Sequence, residues 1–231
     1  MASRPDTLFL SDPKTEVRLR VNARARRITL RVSAVDGQVT LTLPPRLPLH
    51  EAEAFLQRQA EWLRKRLDAA PVLQRPVAGG TVPFLGETFA LQTHSKRQAK
   101  LAPGTFIIPE GETGGPALGR LLKARARLAL IESTEFYAGE LGRSFGKISL
   151  RDPRGRWGSC SSKGDLMYSW RLIMAPQKVL DYVAAHEVAH LAEMNHSSAF
   201  WAVVARLMPD YEVPRNWLRR HGAALHRHDF T

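Results

Sequence analysis

The chain has 231 residues, of which 44% are hydrophobic and 24% charged, a balance that supports a sizeable buried core and excludes extensive disorder. Its single cysteine, Cys160, excludes an internal disulfide. Because the sequence has no run of about 18 apolar residues, we expect no membrane span and a soluble, cytoplasmic protein. Lysine and arginine number 34 against 22 acidic residues, a net charge of +12 that favours anionic partners.

The N-terminal part predicts strands followed by one helix. EVRLRV, RITLRV and QVTLTL alternate apolar and polar residues, which is the pattern of half-buried strands. Asp36 and Gly37 predict a hairpin turn between the second and third of these strands. The stretch LHEAEAFLQRQAEWLRKRLDAA then predicts one amphipathic helix that ends at Pro71.

The strand region is rich in arginine. Six arginines lie between positions 18 and 31, and most alternate with valine, leucine, isoleucine or alanine, which argues against a disordered basic tail. Two interpretations stay open: an arginine-rich solvent face without a ligand, or a surface that binds phosphates of nucleotides or nucleic acid. The residues of this candidate anion-binding face are Arg18, Arg20, Arg24, Arg26 and Arg27.

The middle of the chain suggests a domain boundary. ETFALQT and GTFIIP predict short strands, and GETGGP, at positions 111–116, predicts a linker. We therefore expect a β-rich N-terminal subdomain with one helix over residues 1–110 and a second domain over residues 111–231.

The C-terminal part predicts mainly helices. A long helical pattern starts at Pro116, KISLRD and DLMYSWRLIM predict strands, and RWGSCSSKGD predicts a tight turn near them. The remaining helix candidates are APQKVLDYVAAHEVAHLAEM, SSAFWAVVARLM and PRNWLRRHGAAL. The predicted fold class is therefore α+β.

The HEVAH segment predicts a metal site. Residues four apart share one face of a helix, so His186 and His190 can present two imidazoles to one cation. Glu187 flanks this pair without completing a ligand shell, which leaves it free to take a proton from a bound water.

His196 is the preferred third ligand. It follows His190 by six residues, after a point where the helix can turn back. The competing candidate is Glu193, but ligands crowded on a straight helix close poorly around a tetrahedron. Three histidine ligands leave one position open for water, as a catalytic zinc ion requires, so we expect one Zn²⁺ per chain.

With RGRWGSCSSKGDL ahead of HEVAHLAEMNHSSAFW, the chain resembles the YgjP-like metal-dependent hydrolases, relatives of the SprT and wider HExxH metallopeptidases. The likeness extends to the Trp170-Arg171-Leu172 stretch and to PDY near the C-terminus, and more loosely to the N-terminal strands. It implies zinc ligation by the three histidines, Glu187 as general base, and a compact zincin-like C-terminal fold with a small sheet beside the metal helix. Ser169 and Ser198 depart from the asparagine and proline usual in the family.

Three smaller signals leave alternatives open. Arg156 either contacts an anionic transition state or stacks on Trp157 for structural reasons. Cys160 is better explained as a packing residue than as a nucleophile. The histidines near the C-terminus fit a frayed polar tail better than a second metal site; these are His221, His226 and His228.

The predicted function is a zinc-dependent hydrolase, by its resemblance a metallopeptidase acting on peptides or proteins, with Glu187 deprotonating the attacking water. One alternative is a metal-dependent nucleoside triphosphate pyrophosphohydrolase, since the arginine excess suits a triphosphate. A second is a basic nucleic-acid-binding protein with a structural zinc, against which Glu187 argues because it is not needed as a ligand. The oligomeric state is left open by the sequence.

Overall fold

The computed structural model describes residues 5–33, 37–68 and 73–231. It confirms an α+β fold, and it divides the chain into two compact units, Met1–Leu73 and Gln74–Thr231. Each unit has its own hydrophobic core.

The first unit is a four-stranded sheet with two helices. The strands follow the order β1-β2-β4-β3, in which β2 and β4 are parallel and the outer pairs are antiparallel. Strand β1 is an addition to the three predicted strands. The elements are β1 (Thr7–Ser11), β2 (Lys14–Val21), β3 (Thr29–Val32), β4 (Val39–Leu43), α1 (Leu49–Arg58) and α2 (Ala60–Asp68).

Strand alternation and helix amphipathicity build the core of this unit. Val17, Leu41 and Leu63 are fully buried in it. The single predicted helix is instead two helices, because Gln59 (φ −96°, ψ 5°) departs from helical geometry between them. Strands β3 and β4 pair antiparallel, as a hairpin requires, while Asp36 and Pro71 lie outside the described residues.

The second unit begins with another four-stranded sheet, ordered β5-β6-β8-β7. The turn between its first two strands is formed by Leu85 and Gly86, both with positive φ (51° and 86°). Leu85 N–H donates to the Ile173 carbonyl at 2.8 Å, and a Cβ on Gly86 would lie 2.8 Å from Pro176 Cα. The strands are β5 (Thr81–Phe84), β6 (Glu87–His94), β7 (Lys100–Ala102) and β8 (Thr105–Pro109).

The division between units lies between Leu73 and Gln74 and not near residue 110. The reason is that Leu91, Phe106 and Ile108 of this sheet are buried in the same core as the long helix that follows, α3 (Gly114–Leu141). The predicted linker GETGGP is a 3₁₀ turn and the start of α3. Its glycine at position 114 permits close packing, since a Cβ there would lie 2.6 Å from the Pro109 carbonyl oxygen.

A third sheet and three helices complete the second unit. The sheet has the order β10-β11-β9, so β10 is an edge strand. The following helix, α4, contacts α3, α5, α6 and β10. The elements are β9 (Ile148–Arg151), β10 (Gly158–Cys160), β11 (Leu166–Ser169), α4 (Gln177–Ala189), α5 (Ser198–Leu207) and α6 (Glu212–Leu225).

The C-terminal segment packs onto this unit and is not a frayed tail. The Arg171 guanidinium donates to the carbonyls of Leu225 (2.9 Å) and His228 (2.8 Å) and to both carboxylate oxygens of Asp152. The imidazole of His226 is buried. Within the described residues, the C-terminal histidines form no cluster of metal-ligand geometry.

In the described ranges, the chain has no helix that is both long and apolar enough to cross a bilayer. The cytoplasmic location expected from composition stays a prediction.

Candidate metal centre

The HEVAH residues lie at the C-terminal end of a buried helix. α4 begins after Pro176, whose fixed φ suits a helix start, and His190 directly follows its last residue. Ser133 Oγ of α3 donates to Asp181 Oδ1 at 2.5 Å, which ties α4 to α3. The imidazoles of His186 and His190 are neighbours, with ring centroids 5.2 Å apart.

The chain reverses after α4 and returns His196 to the same point. Ala192 N–H donates to the Ala189 carbonyl, and Ser197 caps the next helix by accepting a hydrogen bond from Phe200 N–H. His196 Nε2 consequently lies 3.1 Å from His186 Nε2. The ligand atoms of the three histidines all lie within 4.8 Å of one another.

Glu193, the competing ligand candidate, takes part through its backbone. Its carbonyl accepts a hydrogen bond from His190 Nδ1 at 3.0 Å, and its carboxylate is not part of the cluster. A proton on Nδ1 leaves the Nε2 lone pair of His190 free for a metal ion. The contact therefore fixes the tautomer that ligation needs.

Aromatic side chains hold the imidazoles in place. Phe200 stacks on His190 with ring centroids 4.5 Å apart and meets His186 and His196 edge-on. The Tyr182 hydroxyl lies 3.5 Å from His186 Nδ1. No role for Phe200 was predicted; its position four residues after His196, at the start of an amphipathic helix, is the sequence signal that points to this packing.

The local electrostatics keep the buried imidazoles neutral. Burial, together with His190 and His196, lowers the pKa of His186 to about 3, and burial also lowers the pKa of His190. Neutral imidazole is the form that binds metal ions. The donor set, its spacing and the neutral form favoured at His186 and His190 thus fit a divalent metal ion.

Glu187 is buried beside the histidines without a hydrogen-bond partner for one oxygen. The residue is 5% exposed, and Oε2 has no partner among the described residues. Burial raises its pKa to about 8, a shift that the nearby Arg156 opposes. An orphaned carboxylate oxygen at this depth is costly for a purely structural residue.

Gly158 of β10 makes room for that carboxylate. A Cβ at this position would lie 2.6 Å from Glu187 Cγ and 2.7 Å from Cδ, and closer still to Oε1. The RWGSC segment predicted a turn near the site, but no contact between Gly158 and Glu187 was predicted.

These side chains surround a cavity of about 430 Å³. Its lining includes the three histidines, Glu187, the strand β10 and the exposed Arg156. Within the described residues no cation–π contact joins Arg156 to Trp157. The Trp157 ring packs instead against α6 and lies 5.0 Å from the His226 ring. Cys160 also lines the cavity, half-buried, and burial raises the pKa of its thiol, so the reactive thiolate is disfavoured.

The candidate anion-binding arginines belong to the first unit. Arg18 and Arg20 lie on β2, and Arg24, Arg26 and Arg27 lie in the loop between β2 and β3. All five are exposed.

Known proteins resemble this chain as follows. The YgjP-like metallopeptidase-domain family matches residues 26–221. No curated protein matches the chain. Among solved structures, the metallopeptidase zymogen abylysin of Pyrococcus abyssi is similar, with 23% sequence identity and a TM-score of 0.37 over 43% of this chain and 97% of that chain. Because the family match spans well over half of the chain and includes the whole histidine cluster, this protein belongs to the YgjP-like metallopeptidase family.

Proposed function

We propose that this protein is a zinc-dependent peptidase in which Glu187 is the general base. The observation that carries the proposal is the buried, unpartnered Glu187 Oε2 in a cavity shared with three clustered imidazoles. Such a carboxylate has no structural partner to satisfy it, whereas a water molecule in the cavity would supply one.

His186, His190 and His196 would hold the metal ion, one per chain. When bound, Zn²⁺ supplies a Lewis acid that polarises a carbonyl and brings the pKa of water to about 7. The His190 tautomer, fixed by the Glu193 carbonyl, supports this ligand set.

Glu187 would move the proton. Its carboxylate accepts a proton from the attacking water as the water oxygen bonds to the scissile carbonyl carbon, and it returns that proton to the amine nitrogen as the C–N bond breaks. Burial places its pKa near neutrality, where a general base works best. Arg156, exposed at the cavity, would contact the developing negative charge.

The edge strand β10 favours a peptide as the substrate. The Trp157 carbonyl accepts a hydrogen bond from Ser169 N–H, and Ser161 N–H donates to the Asp165 carbonyl. Along an antiparallel strand, residues that bond to the neighbouring strand alternate with residues that do not. The backbone groups of Gly158 and Cys160 therefore point away from β11. An extended peptide could add to this edge as a further strand, next to the histidines. The cavity lining contains one arginine, Arg156, which is a sparse set of cations for a triphosphate.

A substrate screen with a matched variant tests the proposal. Wild-type and Glu187→Gln proteins, both zinc-replete, are assayed on casein and on a panel of nucleoside triphosphates. We expect casein cleavage by the wild type and a loss of about 10²- to 10⁴-fold in the variant, with zinc retained. Triphosphate hydrolysis without casein cleavage, or full activity of Glu187→Gln, would contradict the proposal.

A further inference from the structure

The sheet of the first unit has one buried and one exposed face. Its register places Thr7, Arg18, Thr40 and Arg31 in one row across all four strands. The intervening residues, such as Val17, point to the core. We call the solvent side the arginine–threonine face; it comprises Thr7, Phe9, Ser11, Lys14, Glu16, Arg18, Arg20, Thr29, Arg31, Thr40 and Thr42.

This face is strongly basic. Across the described part of the chain, Arg18, Arg20 and Arg31 form no ion pair, and Glu16 is the one acidic residue among the strand positions of the face. The exposed arginines of the β2–β3 loop extend the charge past the end of β2. Guanidinium groups beside threonine hydroxyls are donors suited to phosphate oxygens.

An exposed aromatic ring lies on the same face. Phe9 is 77% exposed, opposite Glu16 in the β1–β2 register and diagonal to Arg18. Diagonal neighbours across strands lie within reach of aromatic and long side chains. A ring beside unpaired arginines can stack a base while the arginines hold adjacent phosphates.

We propose that the arginine–threonine face binds single-stranded nucleic acid through phosphates and unpaired bases. Four strands spaced about 4.8 Å apart form a surface too wide for the major groove of a duplex, which is about 12 Å across. Stacking on Phe9 also requires a base that is free of its partner strand. The proposal concerns binding alone and does not depend on the proposed peptidase activity.

Fluorescence anisotropy of the full chain with a labelled 12-nucleotide oligo-dT tests the arginines. We expect the triple variant Arg18→Gln, Arg20→Gln, Arg31→Gln to bind more weakly and to reduce the slope of log K against log salt by about 2, or about 0.7 for each lost phosphate contact. The control removes three positive charges from the helices of the same unit. Its substitutions are Arg58→Gln, Lys65→Gln and Arg66→Gln.

Phe9→Ala tests the stacking contact separately. Loss of a base–aromatic contact predicts at least fivefold weaker binding, whereas Phe136→Ala, which truncates a 60% exposed phenylalanine of the other unit, should leave binding unchanged. Absence of binding, equal loss in both triple variants, no effect of Phe9→Ala, or tighter binding of a duplex of the same length would overturn the proposal. None of these results bears on peptide cleavage, so the two proposals fail independently.

Discussion

Gly158 lies directly against Glu187, the candidate general base. The carboxylate occupies the space that any side chain at position 158 would need. A small backbone position therefore determines where the candidate base lies.

We predict that Gly158→Ala displaces Glu187 and lowers peptide cleavage at least 100-fold, the smaller end of what a positioned general base contributes. Zinc content should stay unchanged, because the three atoms nearest to this Cβ position all belong to Glu187 and none to a histidine. Cleavage rates and metal analysis of the same preparation check both parts.

The matched control is Gly155→Ala, where an added Cβ would meet no atom within 4 Å. This variant should retain wild-type cleavage. Full activity in Gly158→Ala would show that the Glu187 carboxylate is not positioned by this contact.

The clustering of the three histidines followed from the sequence more directly than the packing around them did. The four-residue spacing of His186 and His190 places both on one face of a helix, with Glu187 beside them, and the structure brings His196 to the same place. The fit of Gly158 against Glu187 joins residues 29 positions apart through tertiary packing, and no local pattern encodes such a contact. The metal-binding role of the histidines and the catalytic role of Glu187 stay predictions.

Among the elements around the site, helix α6 packs against Trp157, the residue directly before β10. A Cβ on Gly222 would lie 2.9 Å from Trp157 Cζ2. Gly222→Ala should therefore destabilise the protein by about 1–3 kcal/mol through overpacking. Urea denaturation followed by tryptophan fluorescence measures this change.

Gly139→Ala, in the long helix α3, should have the opposite effect. An added Cβ there meets no atom within 4 Å, and alanine is favoured over glycine in a helix interior by about 0.5–1 kcal/mol. A Gly222→Ala variant that is as stable as the wild type, or more stable, would contradict tight packing at Gly222.

The types of most helices and strands could be predicted from the hydrophobic periodicity of the sequence, whereas several of their boundaries could not. The α4 and α5 segments carried apolar patterns long enough to be predicted as helices. GETGGP looked like a linker because glycine is associated with flexibility, yet Gly114 serves close packing against Pro109. The short strands β5 and β7 have too few residues for a visible alternation.

At the scale of the whole molecule, each unit buries its own core, and the sheet β5–β8 belongs with the C-terminal helices. Sequence order suggested the opposite grouping, because all the strands before residue 110 read as one β-rich region. Which core a strand joins is decided by packing between segments that are distant in sequence. Phe106 of β8, for example, is buried in the same core as Leu118 and Leu122 of α3.

The packed C-terminal segment predicts a pH dependence of stability. Burial and Arg171 lower the pKa of His228 to about 4, and burial also lowers that of His226, from an unfolded value of about 6.5. Because the pKa values of these two histidines are lower in the folded protein than in the unfolded chain, folding favours their neutral forms. The stability that depends on the neutral forms is fully present above about pH 6.5 and is lost as the pH falls towards 4. The free energy of unfolding should decrease over that range.

His228→Gln removes one of these titrations and should lose less stability between pH 7 and pH 4.5 than the wild type. Urea midpoints at the two pH values give the comparison, and the difference between the proteins isolates His228 from other titrating groups. An identical loss of stability in the wild type and in His228→Gln would contradict the role given to the His228 titration.

The proposed peptidase activity requires His186, His190 and His196 to hold one metal ion, and the metal content of the purified protein tests this requirement. Wild-type protein and His190→Ala are purified after zinc repletion and analysed by mass spectrometry for bound metals. We predict about one zinc per chain in the wild type and its loss in the variant. A wild type without metal, or a variant that retains the full amount, would contradict the proposed metal site.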